Sequence, residues 1–311
     1  MAGSDRRVIP VICGPTASGK TRAALRLASA ARIEIISADS RQLYRGFDIG
    51  TAKPSLAERQ AAPHHGIDVL EPTERASAAW WADRADEWIR DALARGRMPV
   101  VIGGTGLYLR ALFGVLFTEP PMDAERRRAL EAELAPLDTA ELRRQVAALD
   151  PARAHLGRTQ LLRAIEVATL TGHRLSELQR ERATVPRWPA RYLVLDPGPS
   201  LAGTIAARTR GMFAAGWRDE VRRLIATVPA DAPAWNASGY RVVRDLEQGM
   251  LSPEAAMERV IIETRQYAKR QRTWFRHQLA GEEVTRLDPH AESFDDVLRA
   301  WWRAGAGKED A

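Results

Sequence analysis

The strongest constraint on the fold is a glycine-rich octapeptide between an apolar run and an alanine-rich run near the start of the chain. Residues 14–21, GPTASGKT, match the phosphate-binding loop (P-loop) pattern G-x-x-x-x-G-K-[ST]. Residues 8–13 are mostly apolar and β-branched, which is typical of a buried parallel strand, and residues 21–31 favour a helix. The motif therefore has the strand-loop-helix context that its function requires.

The P-loop predicts a binding site for a diphosphate or triphosphate group. Its glycines let successive backbone N–H groups turn towards phosphate oxygens, and the N-terminus of the following helix adds partial positive charge. Lys20 is expected to neutralise the outer phosphate, and the Thr21 hydroxyl to ligate Mg²⁺. The expected diphosphate-binding residues are Gly14, Pro15, Thr16, Ala17, Ser18, Gly19, Lys20 and Thr21.

The pattern of strands and helices changes near residue 119. Strands are expected at 33–37 and 99–102, with a weaker one at 66–70, and a helix at 76–95. Residues 124–135, 139–149 and 158–171 show only helical periodicity, Gly172 is placed as a C-terminal cap, and strand character returns at 192–195. The sequence thus predicts an α/β fold, a P-loop NTPase-like parallel sheet flanked by helices, with an inserted all-helical domain. The expected domains are 1–118 with 190–311, and 119–189.

Composition excludes several classes of protein. The chain has 311 residues with a single cysteine, which excludes a disulfide framework and a multi-thiolate zinc site and indicates a reducing compartment. No stretch approaches the ~20 apolar residues of a membrane span, and the first residues lack the apolar region of a signal peptide. We therefore expect a cytoplasmic protein without a membrane partner, and a monomer by default.

The positive charge is concentrated in one segment. Lys and Arg number 46 against 40 Asp and Glu, a net charge of +6. Residues 259–278 contain six basic residues and one acid, and the aromatic residues Tyr267, Trp274 and Phe275 are interleaved with them. Arginines with aromatics suit a polyanion with exposed bases, but a solvated basic helix face over a buried aromatic stripe explains the composition equally well.

Two further polar segments follow expected strands. Asp39 lies just after the strand at 33–37, where it can ligate Mg²⁺, accept a proton from a nucleophile, or cap a turn. The glycine cluster 103–106 follows the next expected strand and is either a second ligand-binding loop or a simple turn. Both segments should reach the carboxyl edge of the sheet, where ligands of open α/β sheets bind.

Six motifs in one order give the sequence a family resemblance. They are GPTASGKT from Gly14, ADSRQLYRGFDIGTAKP from Ala38, HHGIDVLEP from His64, GGTGLYLRAL from Gly103, SGYR from Ser238 and RQYAKRQRTWFR from Arg265. In this order the chain resembles the bacterial tRNA dimethylallyltransferases (the IPP transferase family) from about residue 8 to residue 276. Members transfer a dimethylallyl group from dimethylallyl diphosphate to the exocyclic amine (N6) of the adenosine 3′-adjacent to certain tRNA anticodons.

The resemblance implies roles for individual residues. The P-loop would hold the diphosphate of the prenyl donor with Mg²⁺ as cofactor, Asp39 would be the general base, and the adenine would be flipped into a channel. The implied catalytic residues are Asp39, Lys20, Thr21, Arg208 and Thr105. The residues implied to contact the tRNA anticodon stem-loop are Asp39, Ser40, Arg41, Gln42, Thr105, Arg127, Thr159, Gln160, Arg163, Asn236, Gly239, Tyr240, Arg241, Lys269, Arg270, Gln271, Arg272, Thr273, Trp274, Phe275 and Arg276.

The chain departs from the family pattern at Gln160, where an arginine is usual, and Arg158 is the nearest candidate to replace it. His64 and His65 lack companion ligands at metal spacing, so we expect structural hydrogen bonds from them. Cys13 is expected to be a small buried strand residue.

Three other functions are alternatives to tRNA prenylation: a P-loop small-molecule kinase, a prenyltransferase acting on free adenine nucleotides, and a non-catalytic RNA-binding module.

Overall fold

Six parallel strands form one sheet, and the loops at its carboxyl edge carry the P-loop. The computed structural model describes residues 7–114, 122–181 and 186–305. The strands are β1 (Ile9–Cys13), β2 (Ile33–Ser37), β3 (His64–His65), β4 (Met98–Gly103), β5 (Ala190–Leu195) and β6 (Val284–Leu287), in the order β3-β2-β4-β1-β5-β6. Every neighbouring pair is parallel. The predicted fold class, an α/β parallel sheet with flanking helices, is confirmed.

Thirteen α-helices accompany the strands in the described part of the chain. They are α1 (Lys20–Ala28), α2 (Leu56–Ala61), α3 (Ala78–Ala94), α4 (Gly106–Phe113), α5 (Ala124–Leu134), α6 (Thr139–Leu149), α7 (Arg158–Thr171), α8 (Leu175–Glu181), α9 (Leu201–Ala214), α10 (Trp217–Thr227), α11 (Tyr240–Glu247), α12 (Pro253–Gln278) and α13 (Phe294–Arg303). The chain divides into two compact units: unit 1 comprises Met1–Phe113 and Arg187–Ala311, and unit 2 comprises Gly114–Pro186. Unit 2 thus begins and ends a few residues before the expected positions 119 and 189.

The core of unit 1 surrounds the sheet. Residues of β1 and β2 are buried along their whole length, because a parallel sheet covered on both faces buries both sets of side chains. Leu27 of α1 and Trp301 of α13 belong to the same apolar cluster as Ile35 and Leu193 of the strands. This packing fixes the strand ends from which the site loops extend.

The expected strand at 66–70 is wrong. Only His64 and His65 pair with β2 there. Gly66 has φ +74° and Asp68 has φ +56°, and such left-handed backbone cannot continue a strand. Leu70 returns to the sheet region only as an isolated bridge to Tyr44.

Unit 2 is all helical in its described residues. Its core contains Leu142, Val146, Leu161 and Ile165, which share one cluster. The bounds of α6 and α7 agree with the predicted ranges, and Gly172 caps α7 with φ +74°. In the described part of the chain, no helix combines the length and apolar character needed to cross a bilayer.

Candidate active site

The P-loop wraps tightly over the carboxyl ends of β1 and β5. Gly14 has φ +148°, and a Cβ atom there would lie only 2.2 Å from the Leu195 carbonyl oxygen. Gly19, which precedes α1, has φ +82°. Because side chains are excluded at Gly14 by contact and disfavoured at Gly19 by backbone conformation, both glycines are required for this path. The loop thus joins strand to helix as the sequence predicts.

Lys20 extends along the inside of the P-loop. Its Nζ donates to the carbonyl oxygens of Gly14, at 3.1 Å, and Pro15, at 2.7 Å. Burial lowers the pKa of Lys20 to about 8; the nearby Asp39 opposes this shift and the Arg208 cation adds to it. A buried ammonium with a lowered pKa gains strongly from an incoming phosphate anion.

A cleft of about 950 Å³, here called the P-loop cleft, opens beside Lys20 and Thr21. Arg208 of α9 lines its wall. Burial lowers the pKa of Arg208, although the Asp39 carboxylate favours its charged form. The cleft therefore brings together the P-loop, Asp39 and Arg208, although Arg208 lies far from the other two along the chain.

Asp39 follows β2 and lies where the P-loop cleft meets a second cavity. One of its carboxylate oxygens accepts a hydrogen bond from the Arg41 backbone N–H at 2.8 Å, which fixes the turn. The second cavity, here called the narrow cavity, encloses about 60 Å³ and is lined by Asp39, Arg41, Arg208, Tyr267 and other residues. Asp39 and Arg208 thus belong to the walls of both spaces.

Thr105 lies in the loop after β4 and joins three parts of the site. Its Oγ1 accepts from the Ser40 backbone N–H at 3.1 Å, and its own N–H donates to the Ala38 carbonyl oxygen at 3.1 Å. Its side chain also hydrogen-bonds Tyr267, whose pKa is raised to about 12, mainly by burial and by Asp39. The prediction that the glycine cluster reaches the same edge as Asp39 is confirmed.

A third space, the outer cleft, lies on the other side of the narrow cavity. It measures about 420 Å³, and its wall includes Asn236, Gly239, Arg241 and Arg270. Arg41, Ser238 and Tyr267 line both it and the narrow cavity. The three spaces therefore lie in series, with the P-loop at one end and exposed arginines at the other.

Tyr267 and Ser238 are wall residues outside the predicted catalytic and RNA-contact sets, although both lie in the motifs quoted for the resemblance. The helical spacing of α12 held a usable signal for Tyr267. It lies four residues before Gln271, so the two side chains share one face of the helix.

The expected RNA contact of Tyr240 is wrong, because Tyr240 is completely buried. Its hydroxyl donates to Glu220 Oε1 at 2.6 Å and accepts from the Gly50 backbone N–H at 3.1 Å. Burial and the Glu220 carboxylate together raise the pKa of Tyr240. Its ring packs against Phe47 and Trp217. Tyr240 thus supports the loop containing Gly50 from within the core.

Helix α12 has an inner and an outer face, and the expected RNA-contact segment 269–276 is divided between them. Phe275 and Gln271 are buried, which corrects their expected roles as RNA contacts. Arg272 pairs with Asp196 at 3.0 Å, and Trp274 packs on Gly106. The exposed residues of the segment are Lys269, Arg270, Thr273 and Arg276. Only this outer face is available to a polyanion.

Gln42 is also turned inward. Its Nε2 donates to the carbonyl oxygens of Thr51, at 3.2 Å, and Ala52, at 3.1 Å, while Ser37 Oγ donates to its Oε1 at 3.1 Å. The side-chain amide thus holds the loop after β2 to the segment around residue 51. The neighbouring Arg41, in contrast, lines the outer cleft.

In unit 2, Arg127 and Arg163 share one acid. Both guanidinium groups pair with the buried carboxylate of Glu166. Thr159 and Gln160 are exposed in the first turn of α7. Arg158, the nearest candidate to replace the arginine missing at Gln160, donates from its guanidinium to the carbonyl oxygens of Leu137 and, at 2.9 Å, Ala135.

The paired histidines make structural hydrogen bonds. His64 Nδ1 lies 2.7 Å from the Ala62 carbonyl oxygen, and His65 Nε2 lies 2.6 Å from Glu34 Oε2.

Cys13 is fully buried in β1, and burial raises the pKa of its thiol to about 12. Among the described residues, no three His, Cys, Asp or Glu side chains are grouped as a metal site.

The fold and site define a P-loop protein of the α/β class, and comparisons with known proteins identify its family. The family model described as IPP transferase matches residues 42–278, and that described as isopentenyl transferase matches residues 7–65. The chain belongs to the IPP transferase family and is a prenyl transferase enzyme.

Two relatives and two solved structures show the extent of the similarity. A tRNA dimethylallyltransferase of Anaeromyxobacter dehalogenans is 45% identical over 272 residues, covering 86% of this chain and 91% of the relative. A tRNA dimethylallyltransferase of Halorhodospira halophila is 43% identical over 299 residues, covering 92% of this chain and 96% of the relative. The full-length tRNA isopentenylpyrophosphate transferase of Bacillus halodurans has a TM-score of 0.69 at 31% identity, covering 96% of each chain. A eukaryotic dimethylallyltransferase acting on tRNA has a TM-score of 0.73 at 25% identity, covering 96% of this chain and 77% of that chain.

Proposed function

We propose that this enzyme transfers the dimethylallyl group of dimethylallyl diphosphate to N6 of the adenosine 3′-adjacent to the anticodon in tRNA. The arrangement that carries the proposal is the series of three spaces, in which Asp39 lines both the P-loop cleft and the narrow cavity. The P-loop cleft is suited to a diphosphate, the outer cleft to a polynucleotide, and the narrow cavity between them to the reacting groups. Donor and acceptor would enter from opposite ends.

The donor's diphosphate would lie on the P-loop. Breaking the allylic C–O bond leaves negative charge on the departing diphosphate, so positive groups stabilise the transition state more than the ground state. Lys20, Arg208 and P-loop N–H groups are among the donors beside the cleft. Lys53 and Arg59 also line it, but they pair with the carboxylates of Asp48 and Asp68. The leaving group is thereby stabilised without a covalent enzyme intermediate.

The cleft also fits a magnesium ion held mainly by the substrate. Mg²⁺ in phosphate sites takes one or two protein oxygens and completes its shell with phosphate and water. Thr21, at the start of α1, is the P-loop residue whose hydroxyl would bind it. When bound, the ion would neutralise charge on the diphosphate.

The acceptor amine would be deprotonated by Asp39. A purine amine is a weak nucleophile that becomes acidic as its bond to carbon forms, and a carboxylate in reach then accepts the proton. The adenine must leave the stacked anticodon loop to reach this position, as in other enzymes that act on bases. Thr105, tied to Ser40 and Tyr267, would contact the flipped nucleotide.

The tRNA would dock on the outer cleft and on the exposed face of α12. Asn236, Arg241 and Arg270 lie at the cleft, and Lys269, Thr273 and Arg276 continue the exposed surface.

In unit 2, we propose contacts from Arg127, Thr159, Gln160 and Arg163, at the positions that match the family. Single-stranded loops are recognised through their bases and phosphates, which suits arginines beside an accessible cavity.

One chain supplies the P-loop, Asp39 and Arg208, which line the cavities, and Thr105, which is bonded to Ser40 beside them, so a monomer suffices for the proposed reaction. We place the reaction in the cytoplasm, where the proposed substrate is found. A kinase would use the same loop for ATP, but would leave the narrow cavity and the outer cleft without a role. A prenyltransferase acting on free nucleotides would have no use for the outer face of α12.

The decisive assay follows the prenyl group. Protein, Mg²⁺ and dimethylallyl diphosphate labelled in the prenyl moiety are incubated with tRNA, with AMP, or with neither. We expect label in the tRNA only, and loss of transfer by about 10²-fold or more in Asp39→Asn with tRNA binding retained. Transfer to AMP at an equal rate would favour a nucleotide prenyltransferase, and phosphoryl transfer from ATP without prenyl transfer would favour a kinase.

A further inference from the structure

The side-chain amide of Gln271 joins two site loops that come from different strands. Gln271 is 7% exposed and lies on the inner face of α12. Its Oε1 accepts from the backbone N–H of Thr16 in the P-loop at 2.8 Å, and its Nε2 donates to the carbonyl oxygen of Gly104 at 2.9 Å. One amide thus binds the loop after β1 and the loop after β4 at once.

The approach of Gln271 to the second loop depends on glycine. A Cβ atom at Gly104 would lie 2.3 Å from Nε2 of Gln271, well inside contact distance. Neighbouring side chains of α12 hold adjacent loops in the same way: Arg272 pairs with Asp196 after β5, and Trp274 packs on Gly106. The inner face of α12 therefore contacts the loops after three strands.

We propose that Gln271 is a positioning residue for the transfer, a role that rests on the function proposed above. The P-loop would hold the donor's diphosphate, and the loop after β4 contains Thr105, which would contact the acceptor. Gln271 also lines the P-loop cleft, and it would act by setting the spacing between these two loops. Because bond formation between two bound reactants is sensitive to displacements of about 1 Å, loss of this link should slow the reaction by about 10²-fold.

The first test replaces Gln271 by methionine, which has similar length, cannot donate to the Gly104 carbonyl oxygen and accepts only weakly from the Thr16 N–H. We expect kcat for prenyl transfer to tRNA to fall about 10²-fold, while KM for tRNA stays within about twofold. Gln278→Met is the matched control, since Gln278 is an exposed glutamine at the end of the same helix. The control should retain both constants.

A second variant approaches the same link from the other side and leaves α12 unaltered. Gly104→Ala places a methyl group against Nε2 of Gln271 and should displace the amide. We expect a fall in kcat of the same order, and a double variant with Gln271→Met no slower than the slower single variant. Non-additivity of this kind shows that both changes break one interaction.

Three results would overturn the proposal. The first is a kcat for Gln271→Met equal to that of the unaltered enzyme. The second is an unchanged kcat for Gln271→Met with a raised KM for tRNA, which would make Gln271 an RNA contact. If Gln271→Met fails to fold, full kcat in Gly104→Ala is the third. A failure of the proposed function itself is distinguishable, because the unaltered enzyme would then transfer no prenyl group to tRNA.

Discussion

Lys20 lies with its ammonium group against backbone carbonyls of the P-loop, and this environment predicts that the proposed diphosphate binding depends on pH. In the free protein its pKa is about 8, below the ordinary 10.5, chiefly because of burial. An adjacent diphosphate stabilises the protonated form, so binding raises this pKa. Above pH 8 binding must therefore take up a proton, and affinity should fall as the pH rises.

We expect the affinity for dimethylallyl diphosphate to fall by up to about tenfold per pH unit between pH 8 and 10. Calorimetry in buffers of different ionisation enthalpy would measure the proton uptake directly. Cys13 and Tyr267, whose pKa values are raised to about 12, stay protonated across this window. Lys20→Met should bind more weakly with a flatter profile, and an equal slope in that variant would contradict the assignment to Lys20.

Helix α12 separates two roles that its sequence alone does not separate. Arg270 and Arg272 lie two positions apart in a basic run, and both read as phosphate contacts. In the fold Arg270 is exposed over the Tyr267 ring, whereas Arg272 is committed to Asp196. The two arginines should therefore respond differently to neutralisation.

Arg270→Gln should weaken tRNA binding and reduce the slope of log Kd against log salt by about 0.7 to 0.9, because one fewer phosphate is neutralised. Arg272→Gln is the matched variant, and should lower thermal stability with little change in that slope. Binding measured across a salt series and thermal unfolding provide the two readouts. Equal salt slopes in the two variants would contradict the division of α12 into an inner and an outer face.

The elements that local pattern predicts well are those with local causes. The helices α6 and α7 follow from apolar periodicity and from their caps, and β2 from an apolar β-branched run. The sequence also identifies the P-loop, because the spacing of its glycines, lysine and threonine is what allows the loop to bind phosphate. The inward direction of Tyr240 and Gln271 has no local signal, since it depends on partners 20 residues away or more. Both residues lie in segments that the family resemblance assigns to RNA contact, and that expectation is wrong for these two side chains.

The residues proposed for donor binding all lie in unit 1. The two ends of unit 1 that flank unit 2 meet, because the Arg187 backbone N–H donates to the Leu112 carbonyl oxygen at 3.1 Å. A short linker can therefore replace residues 114–186 without stretching the core. The proposed RNA contacts of Arg127 and Arg163 would be removed with unit 2.

We expect this excised variant to unfold cooperatively and to bind dimethylallyl diphosphate within about twofold of the full chain, because the P-loop and its supports remain. Its affinity for tRNA should fall by about tenfold or more, equivalent to about 1.4 kcal/mol. Calorimetry and filter binding measure the two quantities. Undiminished tRNA affinity would show that unit 2 makes no contribution to RNA binding.

The series of cavities is proposed to unite a prenyl diphosphate with one flipped adenosine of tRNA. Mass spectrometry of nucleosides and of ribonuclease fragments, after reaction with Mg²⁺, dimethylallyl diphosphate and unmodified tRNA, would detect the product. We expect one new nucleoside, an adenosine carrying one dimethylallyl group on N6, in the fragment that contains the position immediately 3′ of the anticodon. An unmodified tRNA from a folded, donor-binding protein, or a prenyl group elsewhere in the RNA, would contradict it.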